Sequence, residues 1–167
     1  MRLNGTLVVD GETKKVDPFQ SFSLFERQTG IYDLNNGYIA YWLYLSNGAV
    51  IQSWILTPDL TGFGTSAIAS VWYSNGVHEM VPVDSGTKAW DRWKSPESGK
   101  IYFNKFCLSL GARNARFEVR KLFQETELRP AAGYDGPIIS ESYVQGEGIW
   151  DGQRVTVYGH VEEYSFL

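Results

Sequence analysis

The sequence predicts an all-β fold, an antiparallel barrel or sandwich of about ten short strands, and three observations predict it. Runs of seven to eleven residues rich in Val, Ile, Tyr, Phe and Trp recur along the whole chain. Between several of them stand glycine dipeptides, Asp10-Gly11, Asn47-Gly48, Asn75-Gly76, Ser98-Gly99 and Asp151-Gly152, which supply the positive backbone angles of tight hairpins. Hairpin connections this frequent leave little room for helix.

In order, the predicted strands are 3–9, 21–28, 37–46, 49–56, 67–74, 77–83, 100–110, 116–123, 138–146 and 154–164. Only 84-DSGTKAWDRWKSPESG-99 reads as long and irregular, its two tryptophans placed to cover a barrel mouth or plug one end of the core. In 37–46 the even positions Tyr38, Ala40, Trp42 and Tyr44 share one face, while Ile39, Tyr41, Leu43 and Leu45 share the other. Both faces are apolar or aromatic, so either both are covered, or one faces a cavity while the other packs on another domain or subunit. A second β domain or another subunit of the same chain would serve as the outer cover.

Composition narrows the class. The 167 residues suit one domain, 1–167, that buries roughly 70% of its unfolded surface. Fifteen basic against nineteen acidic residues give a net charge of -4, with no basic cluster interleaved with aromatics, which argues against nucleic acid. Cys107 alone makes no internal disulfide and sits in an apolar run, as an inert core thiol does. Two histidines without nearby Cys show no recognised metal-ligand spacing, so neither a metal nor another cofactor is expected. No apolar run is long enough for a membrane helix, and MRLNGTLVVDGE lacks the signal-peptide pattern, so the expectation is a soluble, cytoplasmic protein. Six Trp, ten Tyr and nine Phe suggest an aromatic-lined pocket for a small hydrophobic molecule.

Three segments, in order, resemble one family. FERQTG at 25–30 is similar to an aromatic-acidic-basic-Gln-x-Gly strand; 93-WKSPESGKIY-102 and 119-VRKLFQETEL-128 resemble its Trp-x-Ser-Pro-x-Thr-Gly-x-x-Tyr and Asp/Glu-x-Glu-Leu segments; 157-VYGHVEEYSF-166 resembles its closing strand. The family is that of lipocalin-like hydroxyneurosporene synthase (carotenoid 1,2-hydratase) and AttH, with kievitone hydratase and the fungal decalin-forming Diels–Alderases. The resemblance covers residues 4 to 166, with departures at Thr29, Tyr38 and Ala40, where family members often carry Trp. It implies an antiparallel lipocalin-like β-barrel, a calyx of eight to ten strands, corresponding to the second half of a two-domain architecture. It also implies cofactor-free chemistry on natural-product intermediates. The expected function is isomerisation or cyclisation of a hydrophobic polyketide or terpenoid intermediate, of the Diels–Alderase or rearrangement type. The alternatives are a hydratase adding water to an alkene, or a non-catalytic carrier of a hydrophobic ligand.

The candidate catalytic residues are Glu26, Glu162 and His160. Along 21–28, Phe22, Leu24, Glu26 and Gln28 share a face that is expected to point inward, where desolvation raises a carboxyl pKa and makes it a proton donor. A plain surface ion pair is the competing reading of Glu26. The last strand sets Tyr158, His160, Glu162 and Tyr164 opposite Val155, Val157 and Val161. If the valines face the core, His160 and Glu162 are solvated and idle; if the polar-aromatic side lines a cavity, they form an acid–base pair. His78, beside a turn, reads as a surface residue. Tyr41, Trp42, Tyr44, Trp54, Tyr102, Phe123 and Tyr158 are the expected substrate walls. Gln28, Gln52, Lys105 and Tyr102 are the candidate hydrogen-bond donors to a substrate carbonyl.

Overall fold

The computed structural model describes residues 3–18, 21–23, 25, 37–56 and 67–164. Glu26 and Gln28 lie outside them, and of the strand expected over 21–28 only Phe22 forms a described bridge. The chain divides into two compact units, Met1–Tyr32 and Asp33–Leu167.

The first unit holds a hairpin of β1 (Gly5–Val9) and β2 (Glu12–Val16), paired from Gly5 with Val16 to Val9 with Glu12. Asp10 and Gly11 both have positive φ, 51° and 79°, the signature of a type I′ turn whose twist matches that of the strands. The second strand, ETKKV, escaped the sequence reading because four of its five side chains are charged or hydroxylated and none marks an apolar face.

The second unit is an antiparallel sheet. Its strands are β3 (Tyr38–Leu45), β4 (Val50–Leu56), β5 (Ile68–Trp72), β6 (His78–Pro82), β7 (Lys88–Lys94), β8 (Ile101–Leu110), β9 (Ala115–Lys121), β10 (Glu127–Leu128), β11 (Ile139–Trp150) and β12 (Gln153–Tyr164). They run in the order β6-β5-β4-β3-β12-β11-β9-β8-β7, with β10 added beside β11. Among the described residues there is no α-helix, and none is long and apolar enough to cross a membrane. The stretch 84–99, expected to be irregular, instead contains β7. Its alternation is masked by charge, because Lys88, Arg92 and Lys94 belong to an edge strand paired only with β8.

The glycine turns act in two ways. Asp151 and Gly152 both take positive φ, 49° and 80°, and join β11 to β12 as a second type I′ hairpin. At 45–49 and 73–77 only the glycine is left-handed, and the Asn side chain accepts a bond from the second residue after it, Ala49 N–H at 3.1 Å and Val77 N–H at 3.0 Å.

One face of this sheet builds a continuous core from Ile39, Leu43, Ile51, Val71, Phe106, Leu108, Phe117, Val144, Val157 and their neighbours. Strands far apart in the order meet there: Tyr41 of β3 packs edge-on against Phe106 of β8, ring centres 6.1 Å apart. The sheet is therefore rolled on itself. Among the described residues no ladder joins β6 to β7, and side chains fasten the roll instead. Asp84, just past β6, takes the hydroxyl of Ser109 at 3.0 Å and the N–H of Gly111 at 2.5 Å. Arg113, in a short 3₁₀ turn after β8, reaches Glu79 of β6 at 2.7 Å. The result is an all-β, antiparallel, lipocalin-like roll, as the sequence predicts.

Candidate functional site

Strand alternation divides the polar side chains of the central strands between two faces. The valines Val155, Val157 and Val161 of β12 point into the core, so Tyr158, His160, Glu162 and Tyr164 take the outer face. The register brings like partners beside them: Trp42 lies opposite His160, Ala40 opposite Glu162, and Tyr44 opposite Tyr158. On the other side β11 sets Glu141 opposite Glu162 and Tyr143 opposite His160. On β4, Gln52 lies opposite Trp42 and Trp54 opposite Ala40.

These side chains are neither lining the inside of the roll nor idle in water. Tyr38, Ala40 and Trp42 are only 6%, 0% and 3% exposed on this outer face. Their rings form a wall: Tyr38 and Trp54 are 4.7 Å apart, Trp42 meets Trp54 edge-on at 5.9 Å, and Tyr38 stacks on Tyr164 at 5.8 Å. His160 lies against Trp42, ring centres 5.5 Å apart, and its Nε2 pairs with Oε2 of Glu141. The hydroxyl of Tyr38 donates to Oε1 of Glu162. The valines face the core, as the first of the two readings of this strand has it, and His160 and Glu162 stand on the outer face in contact with Glu141, Trp42 and Tyr38.

The cluster has an electrostatic logic. Glu141 and Glu162 stand directly opposite on paired strands, where like charges repel. The His160 ring pairs with Glu141 and the Tyr38 hydroxyl donates to Glu162, so each carboxylate has a partner of its own. One ligand atom from each of Glu141, His160 and Glu162 lies within 4.8 Å of the others, so the same three groups have the composition and spacing to hold a divalent cation. No metal-ligand spacing is visible along the chain because the three groups sit on two strands and meet only through register.

The expected substrate walls separate. Trp42, Tyr44, Gln52, Trp54 and Tyr158 are on the outer face, with Tyr44 and Tyr158 stacked at 5.5 Å. Tyr41 and Tyr102 are fully buried inside the roll. Phe123, expected in the wall, is 72% exposed past the end of β9 and joins neither group. Lys105, a candidate donor, faces outward and pairs with Asp91 at 3.1 Å. His78 is exposed and stacks on Trp72 at 4.0 Å, a surface residue as expected.

Inside the roll lies a pair that the sequence reading did not single out. Lys121 and Glu163, their side chains 1% and 3% exposed, pair at 2.9 Å. Glu163 also accepts the N–H of Phe103 at 3.0 Å, and Lys121 donates to Ser140 at 2.8 Å. Burial drives the Glu163 carboxyl above the usual carboxylate range, against the opposing pull of Lys121 and the Phe103 amide. The signal was present: Glu163 follows Val155, Val157 and Val161 in the inward register of β12.

The fold and this site define a class: an all-β lipocalin-like roll carrying a carboxylate–histidine cluster under aromatic side chains. No family model and no curated protein matches the sequence. Among solved structures the chain is similar to kievitone hydratase from Nectria haematococca, with TM-score 0.72 and 19% identity over 97% of this chain and 49% of that one. It is also similar to a protein assigned as AttH from Nitrosomonas europaea, with TM-score 0.64 and 17% identity over 82% of this chain and 42% of that one. The chain thus spans about half the length of either. At this identity the likeness establishes the fold.

Proposed function

We propose that the protein is an enzyme that adds water to, or removes it from, an alkene in a hydrophobic natural-product intermediate, using the outer-face cluster as its acid and base. The observation that carries the reading is the Glu141–His160 pair beside the Tyr38–Glu162 pair, set against the rings of Trp42 and Trp54. An aromatic wall binds an apolar substrate and orients its double bond beside the acid and the base. In the forward direction, imidazolium His160 gives its proton to one alkene carbon while Glu141 stabilises the charged ring beforehand. Water bonds to the other carbon and gives up a proton to the Glu162 carboxylate. Transfer of that proton back to His160, across a cluster no wider than 4.8 Å, restores the starting state. The fold shared with a protein named as a hydratase supports this reading.

The same cluster supports an isomerase or cyclase, in which a proton is delivered and withdrawn within one substrate. The tightly packed aromatic surface, suited to holding one folded shape, favours that second reading. Labelled water separates them. Incubation with kievitone and a panel of prenylated phenols and linear polyenes in H₂¹⁸O is expected to yield a product heavier by one labelled water. A product of unchanged mass would replace the hydratase by the isomerase, and stoichiometric binding with no conversion would make the protein a carrier.

A further inference from the structure

Glu141, His160 and Glu162 come together by strand register alone. Glu141 and Glu162 are cross-strand partners on β11 and β12, and His160 lies two residues before Glu162, so all three side chains leave the same face of the sheet. A ligand atom from each lies within 4.8 Å of the others, and among the described residues no other three His, Cys, Asp or Glu side chains meet this condition.

The charges of the cluster leave a place for a cation. With the imidazole neutral, as a metal ligand must be, the three groups carry two formal negative charges. Tyr38, which donates to Glu162, is a neutral phenol. The direct cross-strand neighbours of His160 and Glu162 on this face are Trp42, Tyr143 and Ala40, none of them cationic. A divalent ion cancels both charges at once.

The surroundings hold the three groups as metal ligands are held. Trp42 packs on the imidazole with ring centres 5.5 Å apart, and the Tyr38 hydroxyl donates to Oε1 of Glu162, which orients each of them. Glu162 is 8% exposed, while the side chains of His160 and Glu141 are 21% and 28% exposed. The cluster is thus closed around Glu162 and reaches solvent at His160 and Glu141, where an ion can enter. One imidazole nitrogen with two carboxylates suits zinc better than magnesium, which favours oxygen ligands and keeps its water.

We propose that Glu141, His160 and Glu162 form a binding site for a divalent ion of the zinc class, and that the bound ion switches off the acid–base cycle. The second part rests on the reading of this cluster as acid and base: an ion on Nε2 of His160 occupies the lone pair to which the transferred proton returns. Three protein ligands leave a fourth position for water.

The full chain, stripped with a chelator, is titrated with zinc, and with magnesium as the control, by calorimetry and by the ¹⁵N signals of its histidines. Expected are one equivalent of zinc, a rise in melting temperature, a shift of the His160 Nε2 resonance and no comparable response to magnesium. His160→Gln is expected to abolish the saturable phase. Glu141→Gln should weaken it more than Tyr38→Phe, which should cost about tenfold. His78→Gln, which alters the other histidine of the chain, should change nothing. Melting curves check the folding of each variant. Failure of the parent protein to take up zinc, an equal response to magnesium, undiminished binding in His160→Gln or its loss in His78→Gln would each overturn the site. Saturating zinc is expected to slow alkene hydration ~10²-fold or more, the share of a lost general acid, and undiminished turnover would overturn the switch. A chain that converts no alkene yet takes up zinc at His160 would sink the hydratase reading, and the switch with it, and leave the site standing.

Discussion

Glu162 and Glu163 are consecutive residues of β12 that point to opposite faces of one sheet: Glu162 takes the Tyr38 hydroxyl on the outer face, and Glu163 pairs with Lys121 at 2.9 Å inside the roll. Glu162 shares the outer face with Glu141 and His160, while Glu163 is enclosed in the interior of the roll. Their substitutions should therefore have different consequences. Glu162→Gln is expected to lower turnover by ~10²- to 10⁴-fold, the range of a lost general acid or base, with the melting temperature little changed. Tyr38→Phe, which keeps the ring and removes only the donor, should lower turnover less. Steady-state kinetics beside thermal melts tests both, and a Glu162→Gln enzyme of full activity would remove Glu162 from the mechanism.

Lys121→Met should unfold readily, and more so at high pH. Removing one member of a buried pair leaves the other uncompensated, a cost of about 3–5 kcal/mol. The Glu163 carboxyl is raised by burial above its reference value of 4.5. A raised carboxyl favours the folded state below its unfolded pKa, and that benefit is lost as pH climbs through the folded value. Without Lys121 the folded value rises further. The deficit against the parent protein is thus expected to be small near pH 4 and largest above neutrality, as chemical denaturation across pH would measure. A deficit independent of pH would mean that lost packing, not charge, is responsible.

Gly159 is required by the approach of β12 to β3. A Cβ at this position would lie 2.0 Å from the carbonyl oxygen of Trp42, a backbone atom with no room to yield. Gly159→Ala is expected to force the two strands apart between Tyr158 and His160, costing about 1–3 kcal/mol and disturbing the cluster next to it. Melting temperature and turnover should fall together. Retention of both would show that the strands are further apart at this point.

Cys107 should be chemically silent in the folded protein. It is fully buried, and burial pushes its thiol up to about 11, leaving little thiolate at pH 8. Iodoacetamide is expected to modify it only in denaturant. Rapid labelling of native protein would show that β8 opens.

Much of the outer-face site was legible before folding was known. Alternation in β12 put His160 and Glu162 on one side and the valines on the other, and the two-sided apolar character of β3 announced that neither of its faces is a wet exterior. Glu141 was not singled out, because β11 carries polar residues on both faces and nothing in its own sequence marks one of them as a partner of His160. Phe123 misled because an aromatic residue at a strand end looks the same whether the strand continues or stops, and β9 stops at Lys121.

By itself, then, the sequence determined the class of fold, the hairpin turns and which side chains share a face, since these follow from local sterics and the two-residue period of a strand. Only the tertiary structure decided which face is the inside of the roll, which strands lie next to β12, and that Lys121 meets Glu163 across it. Those outcomes depend on register and on how the sheet curls, and they are set by contacts between residues far apart in the chain, to which a local pattern is blind.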